Sequence, residues 1–290
     1  MSPAPKVFLD YDQAALDRAY DQPSWAPNMS EVLQRRAAAS EAVRARLGAP
    51  RRFAYGPTAI EQLDVYAAPS PSAPVMVFLH GGAWRGGEAH SQAYAAETFV
   101  RAGAHWVVPD FATVMDVGLD GMVAQVRRAV AWVARNAASF GGDPVRLYVG
   151  GHSSGGHLAG NVLVTDWARD FGLPPDLVKG GLCVSGMYDL YAVRLSARSS
   201  YVKFDDRIEH ELSPLRHLGR LTCPVTVAYA ERDSPEFQRQ SREFAEALRG
   251  AGRLRQLVVA AGLNHFEIPE TLTRPDGVLG RAALELMHLA

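Results

Sequence analysis

The sequence predicts an α/β fold: a mostly parallel central sheet with helices on both faces. Three observations predict it. Six short runs are continuously apolar rather than alternating, as strands buried on both faces must be: 75–80 "VMVFLH", 105–111 "HWVVPDF", 146–151 "RLYVGG", 180–186 "GGLCVSG", 224–230 "PVTVAYA" and 254–260 "LRQLVVA". Helical periods at 89–102, 119–139, 154–169 and 235–250 lie between most of them, and a last helix near 276–288 closes the chain. Finally, 290 residues, 48% of them hydrophobic, suffice for one large domain with a sizeable core.

Taken in order, residues 1–50 read as an N-terminal helical arm rich in Ala, Arg and Glu. Ser30 followed by Glu31 marks a helix start, and Gly48 marks its stop. "RRFAYG" and "IEQLDVYAA" are two short strand-like runs separated by the turn signal Gly56-Pro57, and "PSPSAP" at 69–74 is a loop. Segment 187–220 breaks the rhythm. It is polar, carries "ARSS" and "KFDDRIEHE", and follows a strand end. It reads as a small lid-like insertion over the carboxyl edge of the sheet, where α/β proteins place ligands. Residues 1–290 are expected to form a single domain.

A formal net charge of −1, with no basic stripe, argues against nucleic acid as a partner. Two cysteines, Cys183 and Cys223, make neither a disulfide framework nor a metal set, which fits a reducing compartment. No apolar core of a signal peptide opens the chain, and no stretch approaches the ~20 apolar residues of a membrane span. The expected setting is cytoplasmic.

The chemistry concentrates in "GGHSSGGHLAG" at 150–160. Of its two serines only Ser153 satisfies G-x-S-x-G, with Gly151 and Gly155 in place; for Ser154 the residue two before is His152. The motif holds a serine at a sharp strand-to-helix turn, so it needs a strand before it and a helix after it. "RLYVGG" and "SGGHLAGNVLVTDW" supply both. About 70 residues upstream, "HGGAW" (80–84) directly follows another strand. A glycine-rich loop there can aim backbone N–H groups at the oxygen that gains charge when a carbonyl is attacked. The assigned donors are the N–H groups of Gly82, Ala83 and Ser154, with Gly81 an alternative to Ala83.

A serine nucleophile needs a base, and the base needs an orienting acid. Of nine histidines, His265 in "GLNHFEI" lies after the last strand, where the third member of a Ser…Asp…His order falls. His80 belongs to the HGGAW loop, and His152 and His157 flank the serine too closely to reach back to it. Asp233, directly after the run 224–230, is the acid, with Glu231 and Glu236 as rivals within three residues. Trp84 is a candidate wall for a flat substrate. Arg85 and Tyr188 lie near site loops and are candidates to meet a substrate carboxylate or polar edge.

Together, "HGGAW", "GHSSGGHLAGN", "SGMYDL", "ERDSPEFQRQS" and "NHFEI" resemble the α/β-hydrolase superfamily, its hormone-sensitive-lipase-like group, and within that the arylformamidases (kynurenine formamidases) and their bacterial esterase relatives. The motifs span 80–268, and "YDQPSWAPN" is similar to the leader segment of the group. The resemblance implies a serine hydrolase without metal or cofactor. It would use Ser153, Asp233 and His265 to remove a formyl group from an aromatic amine, acting on a small-molecule substrate as a homodimer away from membranes. There are two departures from the pattern. Ser154 stands where alanine is usual, and "PDFATVMD" stands where related esterases carry Asp-Tyr-Arg. A carboxylesterase for short acyl chains is the alternative function. A non-catalytic hydrolase fold serving as a binding module is a third, and it would have lost a member of the triad.

Overall fold

The computed structural model describes residues 4–290. Its strands are β1 (Lys6–Phe8), β2 (Tyr11–Asp12), β3 (Arg51–Ala54), β4 (Gln62–Tyr66), β5 (Ala73–Leu79), β6 (His105–Pro109), β7 (Gly142–His152), β8 (Val178–Val184), β9 (Val225–Ala230) and β10 (Leu254–Ala260). β1 and β2 form a small antiparallel pair, and the other eight form one sheet in the order β10-β9-β8-β7-β5-β6-β4-β3. From β10 to β6 all neighbours are parallel, and β4 and β3 close that edge antiparallel. The chain therefore has the α/β-hydrolase fold.

Each of the six apolar runs is a strand of this sheet; 254–260 coincides with β10, and the other five differ by a few residues at one or both ends. β5 is buried throughout, as its continuous apolar sequence requires with neighbours and helices on every side. Two apolar layers cover the sheet. On one face Val77, Val107 and Val149 share a core cluster with Val126 and Val130 of helix Val114–Asn136. On the other, Trp106 lies between Phe78 and Phe99, with ring centroids 4.9 and 4.5 Å away.

Two segments depart from the sequence reading in ways that matter for the site. The N-terminal arm is helical over Gln13–Ala19 and Met29–Leu47 but opens with the β1–β2 pair. Its long helix begins at Met29 after Asn28 and ends at Gly48, whose φ of 81° suits only a residue without a side chain. Segment 187–220 follows β8 and folds into short helical pieces tied together by Arg194 to Asp206 and Glu209, and by Arg216 to Asp189 and Glu209. Gln13 of the arm reaches across to the Leu195 carbonyl, 2.9 Å away. Among the described residues no helix is long and apolar enough to cross a membrane.

Candidate active site

β7 delivers Ser153. The chain leaves the strand at His152 and enters helix Ser154–Leu163 through a serine with φ 59° and ψ −124°. For a residue with a Cβ that conformation costs on the order of 1–3 kcal/mol, and the surrounding backbone must over-determine it. The glycines show how. A Cβ on Gly151 would lie 2.1 Å from the Gly155 carbonyl oxygen, and one on Gly155 would lie 2.0 Å from that of Leu79. Only bare backbone lets β7, β5 and the new helix approach so closely at this point.

The structure brings the three distant side chains together. His265 Nε2 lies 2.9 Å from Ser153 Oγ, and His265 Nδ1 lies 2.7 Å from Asp233 Oδ1. Asp233 is itself oriented: its Oδ2 accepts from Ser185 Oγ at 2.6 Å and from the Ala230 N–H at 2.9 Å. With both carboxylate oxygens engaged, the proton on the imidazole is held at Nδ1, and Nε2 is left free to accept from the serine. All three residues are buried, at 8% exposure or less. The rival acids are committed elsewhere. Glu231 accepts from the Gly262 N–H, while Glu236 is held by Tyr20 and Arg239.

The His265 ring is clamped between aromatic neighbours, with centroids 4.6 Å from His152, 5.0 Å from Phe237 and 5.4 Å from Phe266. Burial holds His152 well below the ordinary histidine pKa, so it stays neutral. An imidazolium formed on His265 therefore meets no second positive ring.

The HGGAW loop runs beside the serine. Gly82, Ala83 and Trp84 all have positive φ, at 136°, 55° and 60°. The N–H groups of Gly82, Ala83 and Ser154 find no acceptor in the described chain, and the same is true of Gly81. Gly81, Gly82 and Ala83 border the cavity above Ser153; Ser154 is buried beneath it. His80 underpins the loop by stacking on Phe111 at 4.2 Å and donating from Nδ1 to the Gly81 carbonyl. Asp110 ties the far end by accepting from the Ala89 N–H. The departure "PDFATVMD" thus supplies scaffold for this loop.

The two substrate-binding candidates do not reach the cavity. Trp84 turns inward, 2% exposed, and its Nε1–H points to His157 Nδ1 at 3.3 Å. Tyr188 is fully buried and stacks on Phe244 at 4.0 Å. Sequence proximity to a site loop did not fix which way either side chain faces. Arg85 does border the cavity, where its guanidinium lies 4.4 Å above the Tyr201 ring.

The cavity, of about 950 Å³, is walled largely by residues that sequence reasoning missed. The N-terminal arm supplies Tyr20, Gln22, Met29 and Arg36, and segment 187–220 supplies Arg198 and Tyr201. The arm also braces the loops that carry the acid and the base. Gln22 donates to Ser234 Oγ, next to Asp233; Asn28 donates to Glu267 and accepts from Asn264, on either side of His265. The only sequence signal for this was the leader-like stretch "YDQPSWAPN".

The BD-FAE family profile matches residues 63–171. A kynurenine formamidase of Danio rerio is 32% identical over 94% of this chain and 95% of its own length. Esterase LipQ of Mycobacterium tuberculosis is 30% identical over 77% of this chain and 58% of its own. The crystal structure of a candidate thioesterase from Silicibacter sp. TM1040 superposes with a TM-score of 0.81, covering 92% of this chain and 97% of the other at 23% identity.

Proposed function

Since the chain belongs to the kynurenine formamidase family of α/β-hydrolases, we propose that it removes a formyl group from an aromatic amine through an acyl-enzyme formed on Ser153. The supporting observation is the Ser153–His265–Asp233 relay, with contacts of 2.9 and 2.7 Å. Ser153 Oγ attacks the formamide carbon while His265 Nε2 takes its proton. The carbonyl oxygen becomes negative against the N–H groups of Gly82, Ala83 and Ser154, each worth about 2.7–4 kcal/mol in the transition state. His265 then gives the proton to the departing aryl amine. Water, activated by the same imidazole, attacks the formyl-serine, and formate leaves with Ser153 restored. Asp233 holds the ring orientation and stabilises the imidazolium without taking the proton. Residues 1–290 act as one domain in this reading, because the arm walls the cavity.

The LipQ likeness favours a second reading, hydrolysis of short-chain esters by the same machinery. Comparing kcat/KM on N-formylkynurenine and p-nitrophenyl acetate separates the two. The formamidase reading expects both to be turned over, because protonating an aryl amine demands more of the site than expelling a nitrophenolate. Ester turnover with no formamide turnover would leave the esterase. Ser153→Ala should abolish both activities, by a factor of at least ~10⁴.

A further inference from the structure

Four arginines border the cavity, Arg18, Arg36, Arg85 and Arg198, against two carboxylates, Asp17 and Asp21. The carboxylates are already in use: Asp17 accepts from the Ala197 N–H at 2.6 Å, and Asp21 accepts from Ser24 Oγ. Arg198 is the unusual member. It is only 8% exposed, yet no carboxylate of the described residues lies within ion-pair distance of it. Its Nη1 donates to Tyr201 Oη at 2.7 Å and its Nη2 to the Tyr20 carbonyl at 2.9 Å, while Nε is buried without an acceptor. A guanidinium carries five N–H donors, so most of them are unspent. Its carbon lies 5.6 Å above the Trp84 ring, next to the loop that carries Gly82 and Ala83.

A buried cation without a counter-charge is costly to keep, and folded chains elsewhere pair such groups or give them up. Here both acceptors of the buried arginine, Tyr201 Oη and the Tyr20 carbonyl, are neutral, and the residue borders the cavity. Arg36 and Arg85, also without carboxylate partners, add to the same positive field. We propose that Arg198 is a specificity-determining residue that binds an anionic group, a carboxylate on the amine half of the substrate. The counter-charge that the described chain does not provide is then supplied by the molecule to be cleaved. This rests on the formamidase reading and adds to it the residue that holds the charged end of the leaving arylamine.

The test pairs an N-formylarylamine bearing a short carboxylate side chain with its uncharged methylamide, and does the same for an aryl acetate. Wild type should prefer the acid of each pair. Arg198→Gln should shrink the acid-to-amide ratio of kcat/KM by about 10–100-fold, acting mainly through KM, and Arg198→Lys should restore part of it. Calorimetric binding of the free arylamine acid and its methylamide to wild type reads the same preference without any turnover. An acid-to-amide ratio near one in wild type, or an unchanged ratio in Arg198→Gln, overturns the proposal. Loss of formamide turnover alone, with the charge preference kept on the acetates and in binding, overturns the formamidase reading instead.

Discussion

At the scale of single residues, the site depends on a serine forced into an unfavourable backbone conformation and an aspartate whose two carboxylate oxygens are both engaged. Asp233→Asn removes the acceptor that holds the proton on Nδ1 of His265, and should lower kcat about 10⁴-fold with the fold intact by circular dichroism. Glu231→Gln touches only the Gly262 N–H and should leave kcat within about threefold, which sets Glu231 aside as the acid. Gly155→Ala would drive a methyl into the Leu79 carbonyl, where no flexible side chain can yield. A loss of about 3 kcal/mol or more in chemical denaturation is expected. Ser153, Asp233 and His265 were readable because motif, chain order and strand ends all constrain them. Trp84 and Tyr188 were not readable as outward or inward, because a positive φ and a stacked Phe244 decide that, and neither leaves a pattern in sequence.

At the scale of elements, the N-terminal arm is part of the site. Asn28 bridges Asn264 and Glu267, the residues around the loop that carries His265. Asn28→Ala should lower kcat about tenfold while KM for p-nitrophenyl acetate changes less than twofold, since the base loses alignment and the pocket keeps its shape. Asn28→Asp should be worse than alanine, because it sets a second carboxylate beside Glu267. A fall in thermal stability with kcat unchanged would assign Asn28 to scaffold alone. The helix itself was legible from its composition and from Gly48. The role of the arm was not, because the contacts of Tyr20, Gln22 and Asn28 that define it join residues more than 200 positions apart, and no local period reports them.

At the scale of the whole molecule, the parallel sheet was legible as a class from its continuous apolar runs. The order of strands and the antiparallel β3–β4 edge were not, since pairing partners leave no trace in hydrophobic period alone. Burial also sets how the protein responds to acid. Burial pushes His80, His105 and His152 below the usual histidine value and His157 down to about 4. In each case the unfolded chain takes up a proton near pH 6.5 that the folded chain refuses. Stability is therefore full above about pH 6.5 and falls as pH drops toward the folded values. His157 alone contributes on the order of 3 kcal/mol of that loss across the window from 6.5 to about 4. Urea midpoints at pH 7.5 and 5.0 should show a clear decrease at the lower pH, and His157→Asn should reduce the difference. Equal midpoints would mean that these rings are protonated in the folded state.

The most direct measurement is intact-mass and peptide mapping after exposure to a fluorophosphonate. A single adduct on Ser153, none on Ser154, and no adduct in His265→Ala is the result that follows from the relay. Labelling at Ser154, or full labelling in the absence of the His265 imidazole, would contradict it.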